Sequence, residues 1–284
     1  MAHKPILDLL GQFFGTISNM FKRVLYPLML SMLLALAGCA GFGGGSIQDE
    51  SGQAFDPNKL PAQDELPKFT AETARNGMPN GWNFYRIAPY KKNTVYRLES
   101  YQGRTVLSAN SKTSASGLAV KLRPRQVNNL WLQWEWKALS AIPEADNAER
   151  YHDDAPLRIL VAFDGNKSKL PLKEKMNFEM ASLISGQEMP YATLMYIWSG
   201  KSPVDTIINN AHTSRVKMIV VDSGWDNLGA WHKHQRDLAT DYMRAYGEAP
   251  GEVIGIALLT DTDNTKSETR AIYGDIELIR KSPK

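Results

Sequence analysis

The sequence predicts an all-β domain with minor helix: an antiparallel β-sandwich, jelly-roll-like, with one longer packed helix. Three observations carry this. After Asn80-Gly81 the chain breaks into about ten short apolar runs separated by turn residues; no βαβ alternation joins them; and only two segments have helical spacing. The strand candidates are residues 82–88, 94–100, 104–109, 117–122, 130–138, 157–164, 192–198, 216–222, 253–260 and 271–279.

Within 130–138 the period of two puts Leu130, Leu132, Trp134 and Trp136 on one face, the expected core side. Trp131, Gln133, Glu135 and Lys137 share the other face, where Trp131 is either a surface aromatic that stacks on a sugar or a packing residue. Residues 173–184 and 227–246 have helical spacing. In the second, Leu228, Trp231, Leu238, Tyr242 and Ala245 form one apolar stripe that ends before Gly247 and Pro250. On such a helix His234, Asp237 and Asp241 flank the stripe at i, i+3 and i+7, as a metal or proton-carrier set or as salt-bridge partners of Arg236 or Arg244. His232 and His234 would diverge on a helix, so the pair is not read as a metal signal.

Upstream of the domain, Lys22-Arg23 precedes an apolar run, 24–37, that closes in Leu36-Ala37-Gly38-Cys39. The run is shorter than the roughly 20 residues of a membrane span. It resembles the signal peptide and lipobox of bacterial lipoproteins, so residues 1–38 are expected to be removed, with residues 1–19 an extension or a mis-assigned start ahead of Met20. The resemblance implies that Cys39 takes a diacylglycerol, that its new amine is acylated (palmitate), and that the chain is anchored in a lipid bilayer. Because Ala40 rather than Asp follows Cys39, it also implies the outer membrane of a Gram-negative cell, facing the periplasm. Residues 39–79, with Gly43-Gly44-Gly45, Pro57, Pro61 and Pro67, read as a flexible tether, leaving 80–284 as the domain.

Composition narrows the function. The net charge is +3, and residues 1–38 hold Lys4, Lys22 and Arg23 against Asp8, leaving +1 on the remainder. That is far from the basic balance of phosphate-backbone binding, so no nucleic-acid partner is expected. Cys39 is the only cysteine, which removes disulfides and zinc–thiolate sites.

The candidate site lies at Asp261-Thr262-Asp263-Asn264-Thr265, after the strand 253–260. Asp261 and Asp263, with Asn264, offer alternating oxygens suited to calcium or to sugar hydroxyls, or else cap their own turn. The run is not an EF-hand: Lys266 sits where that loop needs Gly, and Ile272 where it needs Glu. Asp153-Asp154 form a second acidic mouth. Arg215 and Trp198 complete a ligand-binding pocket with Asp261, Asp263 and Asn264, or Arg215 simply pairs with Asp261 or Asp263.

Tyr196-Ile-Trp198, 215–224, 231–236, Asp241-Tyr242, Ile254-Gly-Ile256, 260–265 and Tyr273-Gly-Asp-Ile276 together resemble an exported bacterial family, the domain of unknown function 3047. The ending Tyr273-Gly-Asp-Ile-Glu-Leu278 is also similar to the last strand of galactose-binding-like jelly rolls, common among carbohydrate-binding modules. The expected function is a membrane-anchored glycan-binding or envelope-associated module. The alternative is a polysaccharide hydrolase or lyase working through loop carboxylates.

Overall fold

The computed structural model describes residues 60–75, 77–185 and 188–282. The leader, Cys39 and the tether as far as residue 59 lie outside the described residues. The chain forms β1 (Asn83–Arg86), β2 (Val95–Tyr101), β3 (Arg104–Lys112), β4 (Ala115–Arg125), β5 (Leu130–Ala138), β6 (Ala155–Phe163), α1 (Leu172–Ser185), β7 (Ala192–Ser199), β8 (Ile207–Asn209), β9 (Val216–Ser223), β10 (His232–Asp237), α2 (Leu238–Tyr246), β11 (Val253–Asp261) and β12 (Glu268–Arg280). These make a sandwich of a seven-stranded sheet, β1-β4-β11-β6-β7-β9-β8, and a five-stranded sheet, β10-β5-β12-β3-β2.

One neighbouring pair departs from the antiparallel expectation. From β7 the chain passes to the edge strand β8 and returns through β9 into the space between them, so β7 and β9 run parallel. Both edges of the larger sheet are short, with four residues in β1 and three in β8.

The main core lies between the sheets. On β5 the alternation holds as expected, with Leu130, Leu132, Trp134 and Trp136 buried and Trp131, Gln133 and Glu135 half-buried. Leu157, Ile159, Tyr196, Trp198 and Leu258 meet them from the facing strands, and Tyr273 joins them from the neighbouring strand β12. The central strands β6 and β11 are buried on both faces, because Leu160, Ala257 and Leu259 pack in a second cluster on the outer side. Polar groups trapped between the sheets bond one another. The Tyr273 hydroxyl donates to Leu259 O at 2.7 Å, and Thr94 Oγ1 donates to Thr260 O at 2.8 Å.

Two expectations are corrected. Residues 227–246 are not one helix: His232–Asp237 is the edge strand β10, paired with β5, and only Leu238–Tyr246 is helical. The change-over falls at Asp237, whose carboxylate accepts from Ala239 N and Thr240 N at 3.0 and 3.1 Å, capping α2. Gly247, at φ 69°, closes the helix in the left-handed conformation that glycine adopts without strain.

The tether also ends earlier than residue 79. Leu66 and Phe69 are buried, and Phe69 packs on Trp82 with ring centroids 5.3 Å apart. Gln63 extends the outer edge of β4 by bonding Lys121 and Arg123, while Arg75 N donates to Leu98 O on β2. The folded unit therefore includes residues from about 60 onward.

Removing a large buried ring costs its transfer free energy and leaves a cavity. Trp134→Ala should lower stability by about 3–5 kcal/mol, whereas half-buried Trp131→Ala should cost about 1 kcal/mol or less. Denaturant melts of the two variants check this, and equal losses would show that both faces of β5 are core.

Candidate functional site

The acidic loop gathers more carboxylates than the two predicted. Asp261 ends β11 on the outer face of the seven-stranded sheet and is buried. There it accepts from Ala155 N at 3.1 Å, Arg158 Nε at 2.9 Å and Arg158 NH2 at 3.1 Å. Arg158 also reaches Asp153 at 2.9 Å. Fully buried Asp154 is saturated by Asn264 N, Thr265 N and the Thr265 hydroxyl at 3.2, 2.7 and 2.6 Å.

Asp263 Oδ2 pairs with Lys91 at 2.5 Å, and its buried Oδ1 has no donor among the described residues. Oxygens of Asp154, Asp261 and Asp263 all lie within 4.8 Å of one another. That oxygen set suits calcium by type, yet Arg158 and Lys91 already offset much of its charge. A calcium ion would compete with them.

The other two predicted residues lie elsewhere. Asp261 and Trp198 sit at the same end of the sheet, but Trp198 is on its inner face, two strands from β11, donating to Gly224 O at 2.8 Å. Arg215 precedes β9 at the opposite end. It stacks on Tyr191, 4.1 Å from the ring centroid, and bonds Glu248 at 2.7 Å and the Tyr242 hydroxyl at 3.2 Å. Asp241 forms a two-pronged pair with Arg236, at 2.7 Å on each side, and accepts from the Tyr196 hydroxyl.

Between the sheets stands a cluster that the sequence reading did not assemble. The β7/β9 register shifts between Ile197 and Trp198, so Asp222 rather than Val221 pairs with Trp198. This bulge turns the Asp222 carboxylate toward the five-stranded sheet. There Trp136 Nε1 donates to Oδ2 at 2.6 Å, His234 Nε2 meets Oδ2 at 2.8 Å, and His232 Nδ1 meets Oδ1 at 2.5 Å. On strand β10 the two histidines, two residues apart, share a face. Trp198 packs against His232 and Trp134 against His234, with centroids 4.6 and 5.0 Å apart. Burial opposes ionisation of Asp222, but the bonds from His234, Trp136 and His232 outweigh it and hold the carboxyl below its ordinary value.

The opposite face of β5 and β10 forms an open groove of about 520 Å³, lined by Gln133, Glu135, Lys233, Gln235, Asp275 and Glu277, with Trp134 and His234 contributing from beneath. Its polar groups are chained. Lys281 donates to Gln235 at 2.6 Å, Gln235 to Gln133 at 3.2 Å, and Gln133 to Glu277 at 3.1 Å. Trp131, under Lys281 at 3.5 Å, marks one end of this row. Trp231 marks the other, with the Arg104 guanidinium 4.2 Å from its ring centroid and Tyr101 against its edge. Arg104 also pairs with Glu135, and Gly274 leaves the room that the Glu135 side chain fills.

The chain is thus an all-β sandwich with an aromatic-bounded polar groove on one sheet and two buried charge clusters. A family model described as "Protein of unknown function (DUF3047)" matches residues 80–277, and the chain belongs to that family. No curated protein matches the sequence. Among solved structures, a family 12 xyloglucanase from Bacillus licheniformis, in complex with ligand, is 7% identical, with 77% of this chain and 99% of that one covered and a TM-score of 0.41. The K1 cleaved adhesin domain of Lys-gingipain from Porphyromonas gingivalis W83 is 11% identical over 78% of this chain and 100% of that one, with a TM-score of 0.33. An exo-beta-agarase is 13% identical over 78% of this chain, TM-score 0.34, and the chain spans 25% of its length. At these identities and scores the likeness extends to no residue of this chain.

Burial raises the Asp261 carboxyl to about 7, with Arg158 opposing and the charges of Asp154 and Asp153 adding to the rise. Between the ordinary value of 3.8 and about 7 the folded state therefore holds a proton that the unfolded chain releases. Stability through this group falls as pH rises across that window. Thermal melts should show it, and Asp261→Asn should flatten that component of the pH profile. An unchanged profile in the variant would assign the dependence to another group.

Proposed function

We propose that the protein is a lipid-anchored envelope module, acylated at Cys39 and held on the periplasmic side of the outer membrane, whose sandwich binds a glycan along the outer face of the five-stranded sheet. The observation that carries the reading is the row of Gln133, Gln235, Glu135 and Glu277 bracketed by Trp131 and Trp231. Amides and carboxylates at fixed spacing match the hydroxyls of a sugar chain, and flat rings match its apolar faces. From Trp131 to Lys137, beside Trp231, the strand rise gives a track of about 20 Å, long enough for an extended oligosaccharide. The short order of donors and acceptors is already built, so little ordering is needed on binding.

The rival reading, a polysaccharide hydrolase or lyase, needs a carboxyl held protonated beside the substrate. In the groove Glu277 is drawn the other way: its bond with Lys68 holds it below its ordinary value. The raised carboxyl, Asp261, is buried against Arg158 on the other sheet, away from the groove. These arrangements support binding over cleavage. Anchoring rests on residues 36–39; among the described residues, no helix is long and apolar enough to cross a membrane.

Titration of an oligosaccharide panel, followed by calorimetry, should find a ligand whose affinity drops about tenfold or more in Trp131→Ala, the scale of a lost ring contact of 1–2 kcal/mol. Gln133→Ala should weaken the same ligand, with neither variant altering the melt by more than a small amount. Binding untouched by both substitutions would remove the groove as the site, and release of reducing ends would favour the enzyme. The anchoring is checked separately by the intact mass of membrane-extracted protein. A chain that begins at a triacylated Cys39 is expected, and retention of residues 1–38 would overturn it.

A further inference from the structure

A second site follows from the Asp222 cluster, independently of the glycan reading. We infer that Asp222, His232 and His234 form a three-ligand site for a divalent transition metal of the zinc class, with coordination positions left for water or a ligand. The three side chains offer a carboxylate oxygen, Nδ1 and Nε2, all within 4.8 Å of one another. They come from both sheets: Asp222 from the bulge on β9, the two imidazoles from one face of the edge strand β10.

Two imidazoles and one carboxylate suit zinc and its neighbours, and nitrogen donors disfavour calcium or magnesium. The partial exposure of the histidine side chains, 19% and 15%, gives an ion a way in, while Asp222 is 8% exposed.

The surroundings are those of a built site. Trp136 Nε1 donates to Asp222 Oδ2 at 2.6 Å and fixes the carboxylate from behind, as outer-layer partners of metal ligands do. Trp134, Trp136 and Trp198 wall the two imidazoles, with ring centroids 4.6 to 5.4 Å away. The indole N–H of Trp134, 4% exposed and packed on His234, has no acceptor among the described residues. A buried donor without an acceptor costs on the order of 1–3 kcal/mol, and a metal-bound water or ligand oxygen would supply one. To ligate a metal, each ring must turn a lone pair toward Asp222, at Nδ1 of His232 and Nε2 of His234, and carry its N–H on the other nitrogen.

The test uses the full chain in detergent, stripped with chelator and then given Zn²⁺, Co²⁺ or Cu²⁺ alone. Zinc should raise the melting temperature by several degrees, cobalt should give visible d–d bands that saturate at one equivalent, and copper should quench tryptophan emission at the same ratio because three indoles surround the site. His234→Gln and His232→Gln should abolish all three responses, whereas His212→Gln, a residue remote from the cluster in sequence and on the α1-side loop, should keep them. If either variant fails to fold, the wild-type cobalt spectrum and copper quenching still decide. A wild-type chain showing no cobalt bands and no copper quenching at one equivalent overturns the proposal, as does a folded His232→Gln/His234→Gln chain that keeps the wild-type response. Calcium serves as the discriminating ion: a shift seen with calcium and not with zinc would place the metal on the acidic loop instead.

Discussion

A carboxylate placed between two β-sheets must be met by donors, and this one demand shapes the middle of the molecule. Asp222 comes from the larger sheet, while its partners Trp136, His232 and His234 come from the smaller. Left unpaired, a buried charge would cost several kcal/mol. The edge strand β10 therefore cannot slide along β5, because a slip of one residue would turn both imidazoles outward and strand the carboxylate. Pairing of His234 with Trp134 and of His232 with Trp136 across β5 and β10 is the register that satisfies it. A single bulge thus fixes both the docking of the sheets and the position of the strand whose other face lines the groove.

The two charge clusters sit at the same end of the seven-stranded sheet on opposite faces, and they resolve their charge differently. On the outer face acids outnumber cations, with Asp153, Asp154, Asp261 and Asp263 against Arg158 and Lys91. Backbone and hydroxyl donors absorb the remainder at Asp154. On the inner face one acid meets two groups whose charge is adjustable. The first arrangement is consistent with a clamp that ties the 261–265 turn to the start of β6; the second keeps its donors partly open to solvent, which is where chemistry with an outside ligand is available.

Much of this fold was legible. The strict alternation in 130–138 put Trp134 and Trp136 inward and Trp131 and Gln133 outward, and the structure has the same division. The second helix was legible only in its last half, because Leu228, Trp231, Leu238, Tyr242 and Ala245 satisfy a period of 3.6 by coincidence and no glycine or proline interrupts them between Trp231 and Gly247. The opposing signal was polar: His232, His234 and Arg236 face in, Lys233 and Gln235 face out, an alternation hidden from a search for apolar residues. Misreading that stretch as helix also hid the histidine pair, since two residues apart means opposite directions on a helix and one face on a strand. Arg158 left a different trace. A charge inside the apolar run 157–163 requires acidic partners beside it, and Asp261 and Asp153 supply them. Arg215 carried no comparable mark, and the chain reversal that sends it to the far end depends on β8, too short to stand out.

The brevity of β8 and β1 has a consequence for how the folded molecule meets other chains. An unpaired strand edge is a template on which another molecule's backbone can add, and longer, flatter edges are better templates. Here the larger sheet ends in strands of three and four residues. The β2 edge of the smaller sheet is crossed by Arg75, and β10 passes directly into a capped helix. Among the described residues the larger sheet thus offers only short edges, and the edges of the smaller sheet are interrupted rather than long and flat, which limits the backbone on which a neighbour could add.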